Sequence, residues 1–285
     1  MKYPISAYPS PASRIDEEHL RPTMPAPSTI FQILIADRPL AQVTRSGDFE
    51  RNAESLKATY PDATYTLYGQ EELAEFIAGN FAAEVFDAFT ALRPFAFKAD
   101  LARYCLLYKL GGLYSDLSYL HLRPIMVDAE TDLVVFRDAP IHPSWATSNA
   151  IIYARPHCEV LERAIARIVA HHQARFLGVS PLEPTGPYMF GRVLAETTDW
   201  RRIKFGDSPL VNVDSKGRHN ILKVMPGGEI IAIRNKIVNS SISDLIGGGG
   251  NDYAKLWSRG EVWGEGKADT VLGRIMSRIS SKMTS

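Results

Sequence analysis

Two adjacent glycines, Gly111-Gly112, stop a helical stretch that starts near Phe97 and turn the chain at once into a strand beginning at Leu113. Glycine ends helices by taking backbone angles other residues avoid. A helix that passes directly into a strand must pack on the sheet that strand joins, so this junction demands a layered α/β structure. The flanking sequence agrees. Short apolar runs suited to buried strands lie at Thr29–Ala36, Ala63–Tyr68, Asp132–Phe136 and Asn149–Tyr153, and helical periodicity covers about 71–79, 81–91 and 159–176. Strands alternating with helices predict a mostly parallel sheet flanked by helices. Residues 201–235 read as several short strands separated by Gly and Pro, which adds mixed elements toward the C-terminus.

The expected organisation is a proline-rich leader over 1–27, one domain over 28–266 and a C-terminal amphipathic helix over 267–285. Gly247 to Gly250 form a four-glycine hinge before that helix. With 32 basic and 32 acidic residues, the chain carries no general attraction for nucleic acid. Cys105 and Cys158 sit in no CxxC pair or Cys/His cluster, so neither a zinc site nor a disulfide framework is expected. The first 25 residues lack a continuous apolar run and are broken by prolines, which predicts a cytoplasmic location. In the C-terminal helix, Leu272, Ile275, Met276, Ile279 and Met283 share one wedge beside a basic stripe of Arg274, Arg278 and Lys282. That pattern suits peripheral contact with the inner face of a membrane, with packing on the domain's own core as the competing explanation.

The chemistry concentrates in residues 95–124. On the helix, Asp100 and Arg103 fall near the apolar side, opposite Lys98 and Lys109. Charges turned inward need a partner or a ligand, and an i,i+3 ion pair alone would satisfy them. After the glycines, Tyr114, Asp116 and Ser118 point to one face of the strand. An Asp at the carboxyl end of a strand in an open α/β sheet lies where such folds bind ligands, although it can equally cap the next turn. His121 follows closely, and a lone histidine there also reads as structural. His171 and His172 are adjacent on a helix and point about 100° apart, so they are expected on the surface and not as paired ligands.

As a block, Ala99-Asp100-Leu101-Ala102-Arg103-Tyr104 followed by Tyr108, Gly111, Gly112, Tyr114 and Asp116 resembles glycosyltransferase family 32 and related DXD-containing sugar transferases. Arg38-Pro39-Leu40, Tyr60-Pro61-Asp62, Ser148-Asn149-Ala150 and Thr185-Gly186-Pro187 are similar to other segments of that family. The resemblance implies a GT-A-like, Rossmann-type α/β domain and retaining transfer from a nucleotide diphosphate sugar to a glycan or glycolipid acceptor, with bacterial surface polysaccharide as one such acceptor. It also implies roles. Asp100 and Arg103 would contact the transferred sugar, Asp116 would engage the ribose and the metal, and Tyr114 would pack near the nucleotide. Ser118, Asn149, Asn251 and Trp257 would complete the donor site, with 251–257 as a lid. The implied cofactor is Mn²⁺ or Mg²⁺ held at Asp116 and Ser118. Here the chain departs from the pattern, because Ser118 stands where the family's second aspartate belongs. A neutral hydroxyl is a poorer ligand for a hard cation. A module that binds nucleotide sugars with impaired catalysis is therefore the alternative.

Overall fold

In the computed structural model, helix α4 (Phe95–Leu110) begins directly after Pro94, whose extended backbone cannot continue a preceding helix. It ends at Gly111 with φ 66°, and Gly112 follows at φ 97°. A Cβ at Gly111 would lie 2.5 Å from the Pro156 ring, and one at Gly112 would lie 2.4 Å from the Thr29 carbonyl oxygen. Both positions thus need glycine for backbone angle and for space, and the second sets strand β3 (Gly112–Ser115) tightly beside β1 (Thr29–Ile33). The structure describes residues 27–43, 45, 47–212, 219–235 and 251–264. The proline-rich leader apart from Pro27, the four-glycine hinge and the C-terminal amphipathic helix lie outside the described residues.

The main sheet has six strands in the order β2-β1-β3-β6-β5-β7, where β2 is Thr64–Tyr68, β5 Leu133–Arg137, β6 Thr147–Ala154 and β7 Ile203–Gly206. Strand β1 pairs parallel with β2 and β3, and β5 pairs parallel with β7. Only β6 runs against its neighbours, β3 and β5, so the sheet is mostly parallel as expected. Helices α2 (Gln70–Asn80), α3 (Ala83–Ala91), α4, α5 (Glu159–Gln173) and α6 (Pro187–Ala195) cover one face. Their core includes Phe31, Leu101, Leu107, Tyr114, Val135 and Ile152.

The other face carries a second, antiparallel sheet in the order β4-β10-β9-β8, with β4 at Tyr119–His121, β8 at Leu210–Asn212, β9 at His219–Val224 and β10 at Ile230–Arg234. Ile30, Leu113, Val134, Phe136 and Ile151 from the main sheet meet Tyr119, Ile231 and Ala232 from the small one. Successive strand residues therefore bury both faces, which is why these strands read as continuous apolar runs.

Two differences from the sequence reading have physical causes. Helix α1 (Gly47–Thr59) has no counterpart in the predicted elements. It is charge-rich and buries only Phe49, Asn52, Ala53 and Leu56, a stripe too narrow and too polar to stand out. Lys98 does not lie on a solvent side of α4. It is buried, and its Nζ donates to the carbonyls of Phe89 (2.6 Å) and Thr90 (3.1 Å) near the end of α3. Burial lowers its pKa to about 7. Helix α4 is packed on nearly every side, so polarity along it does not mark an exposed face.

Candidate active site

Helix α4 and strand β3 run side by side because two glycines join them, which brings Asp100, Arg103 and Asp116 together. Arg103 Nη2 lies 3.1 Å from Asp100 Oδ1, and its Nη1 lies 3.2 Å from Asp116 Oδ1. Nη1 also donates to the Asn149 carbonyl at 2.6 Å, while Nε donates to Ala99 one turn back in α4. The guanidinium sits 4.5 Å from the Tyr114 ring centroid, a cation–π contact. Burial works against its charge, but Tyr114, Asp116 and Asp100 outweigh that and hold it firmly protonated.

Asp100 accepts from three sides: Arg103, the Asn149 amide at 2.9 Å and the Thr185 hydroxyl at 2.7 Å. Burial raises its pKa, and Arg103 with these hydrogen bonds opposes the rise. The Asn149 amide also donates to the Tyr104 hydroxyl at 3.0 Å. Strand β6 and the turn before α6 therefore hold the carboxylate in one orientation.

Asp116 lies just past the end of β3, in a turn rather than in the strand. Its N–H donates to the Ala150 carbonyl, and its own carbonyl accepts from Tyr119 N. Tyr114 and Asp116 do share a side, as alternation predicts, because the Tyr114 hydroxyl donates to Asp116 Oδ1 at 2.5 Å. Tyr114 itself is only 2% exposed, so it braces Asp116 from beneath. The turn is tied down by Asn52, whose amide donates to the Leu117 carbonyl at 2.8 Å, and by Asn235 N–H, which donates to the Ser118 carbonyl at 2.7 Å. Asp116 is the accessible carboxylate of the set, with its side chain 27% exposed and Oδ2 without a hydrogen bond or ion pair among the described residues.

Asn251 and Trp257 do not join this cluster. The Asn251 side chain bridges Phe95 N–H and the Arg93 carbonyl at the start of α4, and the Trp257 indole donates to the Leu177 carbonyl. Both dock helix α7 (Tyr253–Ser258) onto the body. Within that segment, Tyr253 packs on Phe97. Burial raises the Tyr253 pKa first, and Asp100 adds to the rise. Of the two histidines on α5, His171 is bonded to the Pro184 carbonyl and stacked on Phe176, and His172 lies against Trp263. They are half-buried packing residues.

Ser118 puts a single carboxylate where a divalent cation would need several oxygens. Asp116 Oδ1 is already shared by Tyr114 and Arg103. His121 adds nothing, because it is buried, bonded through Nε2 to the Ser115 hydroxyl and pushed down to about 3 by burial. Its Nδ1 is the one buried side-chain polar atom without a partner among the described residues. No three His, Cys, Asp or Glu side chains gather elsewhere among the described residues. This donor set does not fit a resident Mn²⁺ or Mg²⁺.

Residues 46–134, from the start of α1 into β5, match the family described as "Glycosyltransferase sugar-binding region containing DXD motif". In this span the chain is similar to DXD-type glycosyltransferases. The matched span holds Asp100, Arg103, Asp116 and Ser118, while Asn149 and Thr185 reach the site from outside it. An inositol phosphoceramide mannosyltransferase 3 of Schizosaccharomyces pombe is 26% identical over 172 residues, covering 59% of this chain and 42% of that protein. An initiation-specific alpha-1,6-mannosyltransferase of Saccharomyces cerevisiae is 32% identical over 95 residues, covering 30% of this chain and 20% of that protein. The chain thus spans less than half the length of these relatives. Both relatives are fungal, and neither points to bacterial polysaccharide synthesis. Among solved structures, PaToxG glycosyltransferase aligns with TM-score 0.45 and 15% identity over 61% of this chain and 71% of that one. The glycosyltransferase region is also where the sequence placed most of its chemistry. Its two outlying members, Asn251 and Trp257, came from the lid analogy alone, and their contacts in the fold are structural.

Proposed function

We propose that this protein is a retaining glycosyltransferase that moves a hexose from a nucleotide diphosphate sugar to a carbohydrate or glycolipid acceptor. The observation that carries this reading is the Asp100–Arg103–Asp116 network at the carboxyl end of β3, with Asp116 Oδ2 unbonded among the described residues. An oxocarbenium-like sugar and a departing diphosphate need fixed charges that do not reorganise during reaction, and a network locked by its own ion pairs and hydrogen bonds is such an arrangement. Asp100 and Arg103 would face the sugar, and Asp116 would accept from the ribose or sugar hydroxyls. Mannose is the first donor sugar to try, because both named relatives are mannosyltransferases. A glycolipid acceptor has the support of the first, whose name specifies inositol phosphoceramide.

The test is a panel of nucleotide sugars assayed for transfer and for donor hydrolysis, with Asp116→Asn beside the wild type. At least one donor should turn over, and the variant should lose about 100-fold, or ~2.7 kcal/mol of transition-state stabilisation. Binding of a donor without turnover would favour a nucleotide-sugar-binding module instead. Undiminished turnover by Asp116→Asn would remove Asp116 from the mechanism.

A further inference from the structure

The small sheet delivers a cation to the place where Ser118 leaves a carboxylate missing. Strand β10 pairs with β4 so that Arg234 lies opposite Tyr119, and the next residue, Asn235, bonds to the Ser118 carbonyl at 2.7 Å. Directly paired residues share a face, as do residues two apart. Arg234, Tyr119, Ala232 and Lys223 therefore share one face, with Ala232 opposite both His121 and Lys223. That face looks onto the main sheet, because Lys223 Nζ donates to Ser148 of β6 at 2.7 Å and His121 bonds to Ser115 of β3. Arg234 sits at the end of this face nearest the Asp116–Ser118 turn.

Two tyrosines are consistent with this placement. The Tyr119 hydroxyl is raised mainly by burial, with Arg234, its cross-strand partner, opposing the rise and Asp116 adding to it. The Tyr253 hydroxyl feels Asp100 and Arg234 in the same way. Arg234 is half-buried, and among the described residues no carboxylate forms an ion pair with it. Every other arginine in the site is already bonded to protein oxygens. A half-buried guanidinium whose donors meet no protein acceptor among the described residues, beside a sugar-transfer site, is suited to a bidentate anion such as a phosphate.

We propose that Arg234 binds the diphosphate of the nucleotide sugar directly and supplies the positive charge that a metal between two carboxylates would otherwise provide. This rests on the donor reading above. When the sugar C1–O bond breaks, its electron pair stays on the terminal phosphate oxygen. The acceptor hydroxyl forms the new C1–O bond, and its proton passes to the departing nucleoside diphosphate. The charge gained by the leaving group would develop against Arg234, with buried Lys223 contributing at longer range.

The experiment is calorimetric binding of ADP, GDP and UDP, and of the corresponding monophosphates, in excess EDTA. Wild-type protein should bind one diphosphate without metal and more tightly than its monophosphate. Arg234→Ala should weaken that diphosphate about 10- to 100-fold, with a much smaller effect on the monophosphate. Arg234→Gln keeps the aliphatic stem, guarding against lost packing, and should show the same selective loss, while Arg234→Lys should recover part of the affinity. Diphosphate binding that survives Arg234→Ala and Arg234→Gln overturns this inference and leaves the donor reading standing. So does wild-type binding that requires Mn²⁺. If wild type binds none of these nucleotides with or without Mn²⁺, both readings fall together.

Discussion

Arg103 shows how one side chain sets the geometry of two others. Its fork reaches Asp100, Asp116 and the Asn149 carbonyl while its plane lies over Tyr114. A lysine there keeps the charge and loses the fork, so it can satisfy one of these acceptors at a time. Arg103→Lys should therefore cut transfer by about 100-fold and also lower stability by roughly 1–3 kcal/mol, because buried acceptors are left short of donors. Transfer should be measured well below the variant's melting temperature. Wild-type turnover by folded Arg103→Lys would show that the network is structural only. In the sequence, Asp100, Arg103 and Asp116 are legible because all three lie within one helix–glycine–strand unit. Thr185 and Asn149 are harder to place, since what makes them part of the site is contact across 85 and 49 residues of chain. Lys223 and Arg234 carry no local signal at all. They arrive through cross-strand pairing late in the chain, in a segment readable only as short strands.

At the scale of elements, the junction between α4 and β3 is the most constrained feature of the fold. Gly112 takes a positive φ, and a Cβ there would press on the Thr29 carbonyl at 2.4 Å, a backbone atom fixed by the β1–β3 pairing. Gly112→Ala should therefore cost at least ~3 kcal/mol, combining about 1–2 kcal/mol of backbone strain with displacement of a strand. Gly79 makes the contrast. It lies exposed within α2, has nothing within 4 Å of a built Cβ and shows no positive φ. Gly79→Ala should raise stability by about 0.5–1 kcal/mol through the entropy of the unfolded chain. Chemical denaturation of both variants checks the pair. Equal effects at the two positions would show that glycine content alone, and not the junction, matters.

At the scale of the molecule, the described residues form two sheets clasped face to face, and Lys223 is a polar link between them. Its Nζ donates to Ser148 of β6 and to Ser208 beyond β7, and it lies over the rings of Tyr119 and Phe136. No aqueous contact remains, with the residue 1% exposed. Burial lowers its pKa to about 8, with Asp138 and Asp116 pulling against that fall. In the unfolded chain the amine titrates near the ordinary 10.5. Below pH 8 both states are protonated, and the cost of burying the charge is present in full. Between about pH 8 and 10.5 the unfolded chain holds a proton that the native state has released, so raising the pH stabilises the fold, by at most ~1.4 kcal/mol per pH unit. Lys223→Met, similar in length but without a charge, lacks this contribution. The stability of the wild type relative to Lys223→Met should hold constant from pH 6 to 7.5 and then climb by about 2 kcal/mol toward pH 10. Urea unfolding across that range measures it, and any contribution from Lys98 cancels because both proteins retain that residue. A difference that stays flat through pH 10 would mean that Lys223 remains protonated in the fold. The clasp between the sheets would then be a charged one, held by the surrounding carboxylates.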